Sequence, residues 1–288
     1  MTPEPTSTEA ASDSAQSNPS LRLNYIFNFI GSVWIAALGI LFVPIYLRYV
    51  GVEAYGIIGF FTSLQALFFL LDLGLSPAFN REVARYSAAA GYADKLRNLT
   101  RTLAVVNIVV AVVIGLFLCV LAPIFANYWV NASALSVSEV SESFVIMAIG
   151  SALQFPISFY LSGLAGMQRQ VASNVVQIVF GTLRSVGAVF VLAFYSPTLQ
   201  AFLIWQAGIT FLQMLVIATV FYSGLPKATG KIRFDRQILK GVWRFAAGNT
   251  GIGVMSLLLS QTDKIVLSRL LQLETFGYYS LAGMISMT

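Results

Sequence analysis

The chain has 288 residues, 57% of them hydrophobic and only 10% charged, with a mean hydropathy of +0.78. Soluble domains carry about 25% charged residues, so this composition lacks the charge to cover a water-facing surface and excludes the soluble globular class. Histidine is absent and Cys119 is the lone cysteine, while the net charge of +5 sits mostly in short segments between apolar runs; this removes the commonest metal ligand, the usual near-neutral proton carrier and any intrachain disulfide framework, and it is a membrane-topology signal rather than a nucleic-acid surface.

Residues 1–20 are mainly Ser, Thr, Pro, Ala and acidic residues with no Lys or Arg, and read as a disordered polar tail. The apolar run at 24–47 is longer than a signal-peptide core and has no basic flank of the usual kind before it, so it reads as the first transmembrane helix. A span needs about 20 mostly apolar residues. Runs of that size follow at 55–75, 102–126, 144–165, 171–195 and 199–222, and a seventh at 243–271 carries polar interruptions. Cys119 falls in one of these runs and reads as apolar filler. An eighth run begins near Phe276 and meets the last residue, Thr288, after about a dozen residues, too few to cross the hydrocarbon core. The expectation is an all-α, polytopic transmembrane helix bundle of seven to eight helices, interrupted in mid-span.

Charge sets the expected orientation. Arg81, Arg85, Lys95, Arg97 and Arg101 lie in one connection, Arg169 in another, and Lys227, Lys231, Arg233, Arg236, Lys240 and Arg244 in a third. With Arg22, these alternate connections are expected on the cytoplasmic side, with the N-terminus inside. The opposite connections are poor in basic residues, Arg48, Lys264 and Arg269 being the exceptions. Residues 77–99 read as an amphipathic helix at the cytoplasmic interface, where its basic residues either touch anionic head groups or only enforce topology.

Polar residues inside spans are the functional candidates, because each is costly in lipid. Arg184, in the middle of the fifth run, either contacts phosphate or an anionic sugar, or forms a structural pair with an acid such as Asp72. Asp72, near the cytoplasmic end of the second run, either couples transport to protons or sodium, or caps or pairs with Arg81 at the interface. Asp263 and Lys264 are adjacent and therefore about 100° apart on a helix, so each needs its own partner; a cavity contact and local topology control are both open. Asn174 and Gln177 share a helix face, and Arg184 lies one heptad beyond Gln177 on nearly the same side, a stripe expected to line a cavity. Gln154, Gln206, Gln213, Asn249 and Gln261 are the other in-span amides, for sugar hydroxyls or for interhelical hydrogen bonds.

An internal repeat is visible. Leu47-Arg48-Tyr49-Val50-Gly51-Val52-Glu53-Ala54-Tyr55-Gly56 parallels Ser268-Arg269-Leu270-Leu271-Gln272-Leu273-Glu274-Thr275-Phe276-Gly277, with arginine, glutamate, an aromatic residue and glycine at one constant offset. The same offset pairs Asn28 with Asn249. Six runs separate the copies, so they share an orientation, which implies two six-helix halves with the second incomplete and a substrate site between them. The expected organisation is a tail at 1–20, a first half at 21–225, a basic cytoplasmic linker at 226–242 and the start of a second half at 243–288.

The run Phe42-Val43-Pro44-Ile45-Tyr46 leading into Leu47–Gly56 resembles the first outer loop of the polysaccharide-exporter, Wzx-type flippases of the multidrug/oligosaccharidyl-lipid/polysaccharide superfamily. Asp72-Leu73-Gly74-Leu75-Ser76 followed by Asn80-Arg81, and Thr262-Asp263-Lys264 before Phe276-Gly277-Tyr278-Tyr279-Ser280, are similar to further motifs of that family. The resemblance runs from about Leu21 to the end. It implies a non-enzymatic transporter of the bacterial inner membrane that moves undecaprenyl-diphosphate-linked oligosaccharide to the outer leaflet by alternating access. Membrane lipids, a polysaccharide polymerase and chain-length machinery are the implied partners, with no nucleic acid.

That task needs a hydrated cavity, cations for the diphosphate, polar groups for sugar and a lateral opening. It breaks no bond, so no catalytic residue, metal or cofactor is expected, apart from an H+ or Na+ coupling ion. Arg184, Lys264, Asn174 and Gln177 are the substrate-binding candidates, and Asp72 and Asp263 the ion-coupling ones. A multidrug or metabolite exporter of the same superfamily is the alternative; a membrane glycosyltransferase is disfavoured because no sizeable loop carries an acidic sugar-nucleotide motif.

Overall fold

The computed structural model describes residues 19–69, 72, 74–87, 92–129, 135–227 and 234–286. They form nine α-helices: α1 Pro19–Val50, α2 Val52–Phe69, α3 Leu75–Ser87, α4 Ala93–Tyr128, α5 Val137–Gly166, α6 Gln170–Phe190, α7 Leu199–Gly224, α8 Arg236–Leu270 and α9 Leu273–Ser286. A one-turn π-helix, Val191–Tyr195, extends α6, and no strand occurs among the described residues. By length and apolar content, α4, α5, α7, the α6–π unit and the Gly31–Val50 part of α1 can each cross a bilayer. The protein is therefore a multi-pass membrane helix bundle. The apolar run expected at 55–75 overlaps α2, Val52–Phe69, and the one at 243–271 overlaps the later part of α8.

Local chemistry sets the helix ends. Ser136 opens α5 with a capping box: its hydroxyl accepts from the Glu139 N–H, and Glu139 reaches back to the Ser136 N–H at 2.9 Å. Thr198 caps α7. Asp235 caps α8 through the Gln237 N–H at 2.8 Å, while its own N–H donates to the Thr102 hydroxyl of α4 at 3.0 Å. Helix α8 thus starts at Arg236, so residues 236–242 of the expected linker are already helical.

The amphipathic stretch expected over 77–99 is two helices. Leu75, Ala78, Phe79 and Val83 are buried on one row of α3, and Leu96, Leu99 and Leu103 on one row of α4. At about 100° per residue, an unbroken helix from Val83 to Leu96 would turn these rows about 220° apart, and only a break lets both face the core. The apolar row of α3 packs on α5 rather than lipid, with Phe79 stacked on Phe159 at 4.1 Å.

Two apolar clusters fill the bundle. One gathers Ile57, Phe60, Ile114, Leu118, Phe144, Leu192, Leu203 and Phe276. The other gathers Phe79, Leu99, Leu103, Phe159, Leu164, Ile217 and Phe221. Contacts place Arg97 and Arg169 at the second cluster's end. Arg97 donates to the Pro226 carbonyl at 2.7 Å, and Arg169 to the Val220 carbonyl at 3.4 Å.

The sequence repeat reappears in three dimensions. The starts of α2 and α9, Val52 and Leu273, fall on the offset that pairs Arg48 with Arg269. The two helices also touch reciprocally. A Cβ added to Gly56 would strike the Leu273 backbone, and one added to Gly277 would lie 2.7 Å from the Val52 carbonyl oxygen. Gly59 faces Ser280, its own counterpart in the repeat.

Candidate functional site

Between the two apolar clusters lies a polar layer. Helix α5 contributes Ser151 and Gln154, three residues apart; α7 contributes Gln206, Thr210 and Gln213, at spacings of four and three; α6 contributes Arg184. These spacings keep each set on one helix face. All but Gln213 line a cavity of about 220 Å3 whose remaining wall includes Ile58, Phe61, Met147 and Phe202. Above and below along the same helices come Ala148, Ala188 and Leu203 of one cluster and Ile157, Phe180 and Ile217 of the other.

Arg184 is half-buried, and its Nη2 donates to Gln213 Oε1 at 2.6 Å. Its Nε is buried with no hydrogen-bond partner, and no acidic residue among those described pairs with it. The hydroxyls beside it are already committed: Ser151 donates to the Met147 carbonyl at 2.9 Å and Thr210 to the Gln206 carbonyl at 2.8 Å. The free donors on the wall are therefore the Gln154 and Gln206 carboxamides. Ile146 is shared with a neighbouring pocket lined by Ser141, Glu142, Gln200 and Ile204, which leads towards the Ser136 end of α5.

The other candidates lie elsewhere. Asn174 is buried against Gly31 of α1 and Gln177 is half-buried; neither lines the Arg184 cavity. Helix α6 divides its surface, giving α1 the face that holds Thr182, which accepts from Trp34 Nε1 at 2.9 Å, and giving α7 the face that holds Arg184. Asp263 is exposed on α8 and accepts from the Tyr279 hydroxyl of α9, and Lys264 beside it is half-buried. Asn249 lies where no side chain is described.

Asp72, past the end of α2, does not meet Arg184. Its Oδ2 accepts from the Ser76 N–H and its Oδ1 from the Ser76 hydroxyl, both at 3.0 Å, which anchors the first turn of α3 next to Gly74 at φ +68°.

Sequence reasoning singled out Arg184, Gln154, Gln206 and Gln213 but passed over Ser151 and Thr210. Their spacing from Gln154 and Gln206 was the available signal. A second, apolar groove of about 830 Å3 opens along α6 and its π turn, between Val186, Phe190, Phe194 and Trp205. There the Trp205 ring lies against Gly187, where a Cβ would overlap it.

Comparison with known proteins fits this architecture. Two solved structures share the fold, each covering 94% of this chain. One, described only as protein A, superposes with a TM-score of 0.74 at 16% identity. The other, the MATE multidrug transporter DinF-BH solved as a complex, superposes with a TM-score of 0.70 at 15% identity. The chain spans 61% of the length of each. No curated protein matches it significantly. The model of the family described as polysaccharide biosynthesis protein matches residues 21–288. Since that match takes in every described helix from the first turn of α1 onward, the chain belongs to the polysaccharide biosynthesis protein family, the family of Wzx-type flippases.

Proposed function

We propose that this chain forms the first half, and the opening helices of the second, of a flippase that carries polyprenyl-diphosphate-linked oligosaccharide from the cytoplasmic to the outer leaflet of a bacterial inner membrane. The observation that carries this reading is the family match over residues 21–288. The cargo's chemistry agrees with what the spans contain. A cation inside a span, Lys264, suits an anionic diphosphate, and the amides Asn174 and Gln177 suit sugar hydroxyls. Asp72, buried beside Ser76, and Asp263, held by Tyr279, are the groups whose charge could change with a coupling H+ or Na+. The basic end of the bundle faces the cytoplasm in this reading, which places the N-terminus inside. A polysaccharide polymerase and chain-length machinery would take over the delivered glycan.

A second reading, drug export, draws support from the fold shared with a MATE multidrug transporter. The cationic Arg184 speaks against a cavity built for cationic drugs. One experiment separates the two. The protein is expressed in cells lacking their own flippase, and surface polysaccharide and efflux of a cationic dye are measured together. Restored polysaccharide without dye efflux supports the flippase. Dye efflux with polysaccharide still blocked overturns it.

A further inference from the structure

We infer that Arg184 forms the floor of a binding site for a free inorganic monoanion, chloride in class, held inside the first half of the molecule. The argument begins with charge. A guanidinium keeps its proton at every accessible pH, and an unpaired charge within a span is expensive unless a partner or water compensates it. Here its one partner among the described residues is neutral, the Gln213 carboxamide at 2.6 Å. Arg184 Nε is buried and unused. No carboxylate among the described residues is in place to balance the charge, and Asp72, the acid expected to do so, is spent on Ser76.

The space beside the guanidinium is suited to such an ion. Its volume of about 220 Å3 corresponds to about seven waters at ~30 Å3 each, room for a partly hydrated halide. Gln154 and Gln206 on the wall can donate from their carboxamides, while the Ser151 and Thr210 protons are turned back onto their own helices. Ile146 lies between this space and the adjoining pocket that bears Glu142 and Gln200.

Charge count also selects the occupant. One guanidinium balances a monoanion. The cargo's diphosphate brings a second negative charge and is substituted at both ends, so seating it here would bury unbalanced charge and force two chains through one small pocket. The inference rests on the half-buried guanidinium and its unused Nε; only the exclusion of the diphosphate draws on the flippase reading.

The test is equilibrium dialysis of radioactive chloride against the protein in phosphatidylcholine nanodiscs, with gluconate holding ionic strength constant. Saturable, near-stoichiometric chloride binding is expected. Arg184→Gln should weaken it about tenfold or more, because a charge-assisted contact is lost. Arg184→Lys, which keeps the charge, should stay within about tenfold, and the surface variant Lys240→Gln should match the parent. Monodisperse elution of each variant shows that it folds. Absence of saturable binding in the parent, or equal binding by Arg184→Gln, overturns the site. If undecaprenyl diphosphate binds in an Arg184-dependent way while chloride does not, the pocket belongs to the cargo; the inorganic-anion assignment fails and the flippase reading stands. Chloride binding in a protein that never restores surface polysaccharide does the reverse.

Discussion

The two helix junctions that share a sequence pattern, at 48–56 and 269–277, solve the same packing problem with different turns. In the first, the chain breaks at Gly51 with φ +89°, a conformation costly for residues bearing a Cβ. In the second, Leu271 is extended with ψ 153°, and the break passes through Leu271-Gln272 without glycine. What both junctions keep is a glycine one turn into the next helix, Gly56 and Gly277, each pressed against the start of the other helix. Turn chemistry is interchangeable here and backbone contact is not. A turn can be built in several ways, whereas two backbones at van der Waals contact leave no room for a side chain.

The harshest way to break this comparison is to fill the contact. Gly56→Leu or Gly277→Leu drives a side chain into backbone, which cannot swing away as a side chain would. Each should destabilise the protein by about 3 kcal/mol or more, read as a fall in thermal unfolding midpoint in nanodiscs. Because the contact is shared, a Gly56→Ala/Gly277→Ala double variant should lose less than its two singles added together. Strict additivity would show that the helices do not meet as a reciprocal pair.

Gly163 on α5 offers a control of the same kind in the other core. A Cβ there would lie 2.7 Å from Phe79 Cε1 and would also press on the Phe221 ring. Aromatic rings can tilt, so Gly163→Ala should cost about 1–2 kcal/mol, less than the backbone clash at Gly56. Equal losses at the two sites would remove the distinction between ring and backbone obstacles.

Much of this was legible from sequence, for identifiable reasons. Lipid demands long apolar runs, so hydropathy found the helices, and the repeat located both junctions before any coordinates. It could not find the end of α3. Residues 77–99 are continuously helix-compatible, and the break follows from which rows must face a core that only tertiary packing defines. The polar layer was half-legible. Arg184 stood out because a mid-span arginine is rare, but its pairing with Gln213 depends on how α6 is rotated against α7. The heptad linking Gln177 to Arg184 could not reveal that α1 claims the adjoining face of α6 around Thr182. At Asp72 the Ser76 hydrogen bonds show the local cap.

The turns themselves give a smaller effect. Gly51→Ala imposes a Cβ on a left-handed residue and should cost about 1 kcal/mol. Gln272→Ala at the corresponding place should change stability by less than about 0.5 kcal/mol, the ordinary scale for a surface substitution. If both replacements are silent, the positive φ at Gly51 carries no cost and the junctions differ only in sequence.

The smallest effect concerns the arginines that begin the two copies. Arg269 lies 5.1 Å from the centre of the Trp129 ring, whose Nε1 donates to the Ser268 hydroxyl at 3.3 Å, so the α8 end is tied to α4. Arg48, in the last turn of α1, has no such ring beneath it among the described residues. A cation over an indole at a partly exposed site contributes about 0.5–1 kcal/mol. Arg269→Gln should therefore lower the unfolding midpoint measurably while Arg48→Gln should not, and in a Trp129→Leu background the Arg269→Gln effect should shrink towards that of Arg48→Gln. Persistence of the full effect without the indole would place the Arg269 contribution in its other contacts and make the two arginines equivalent after all.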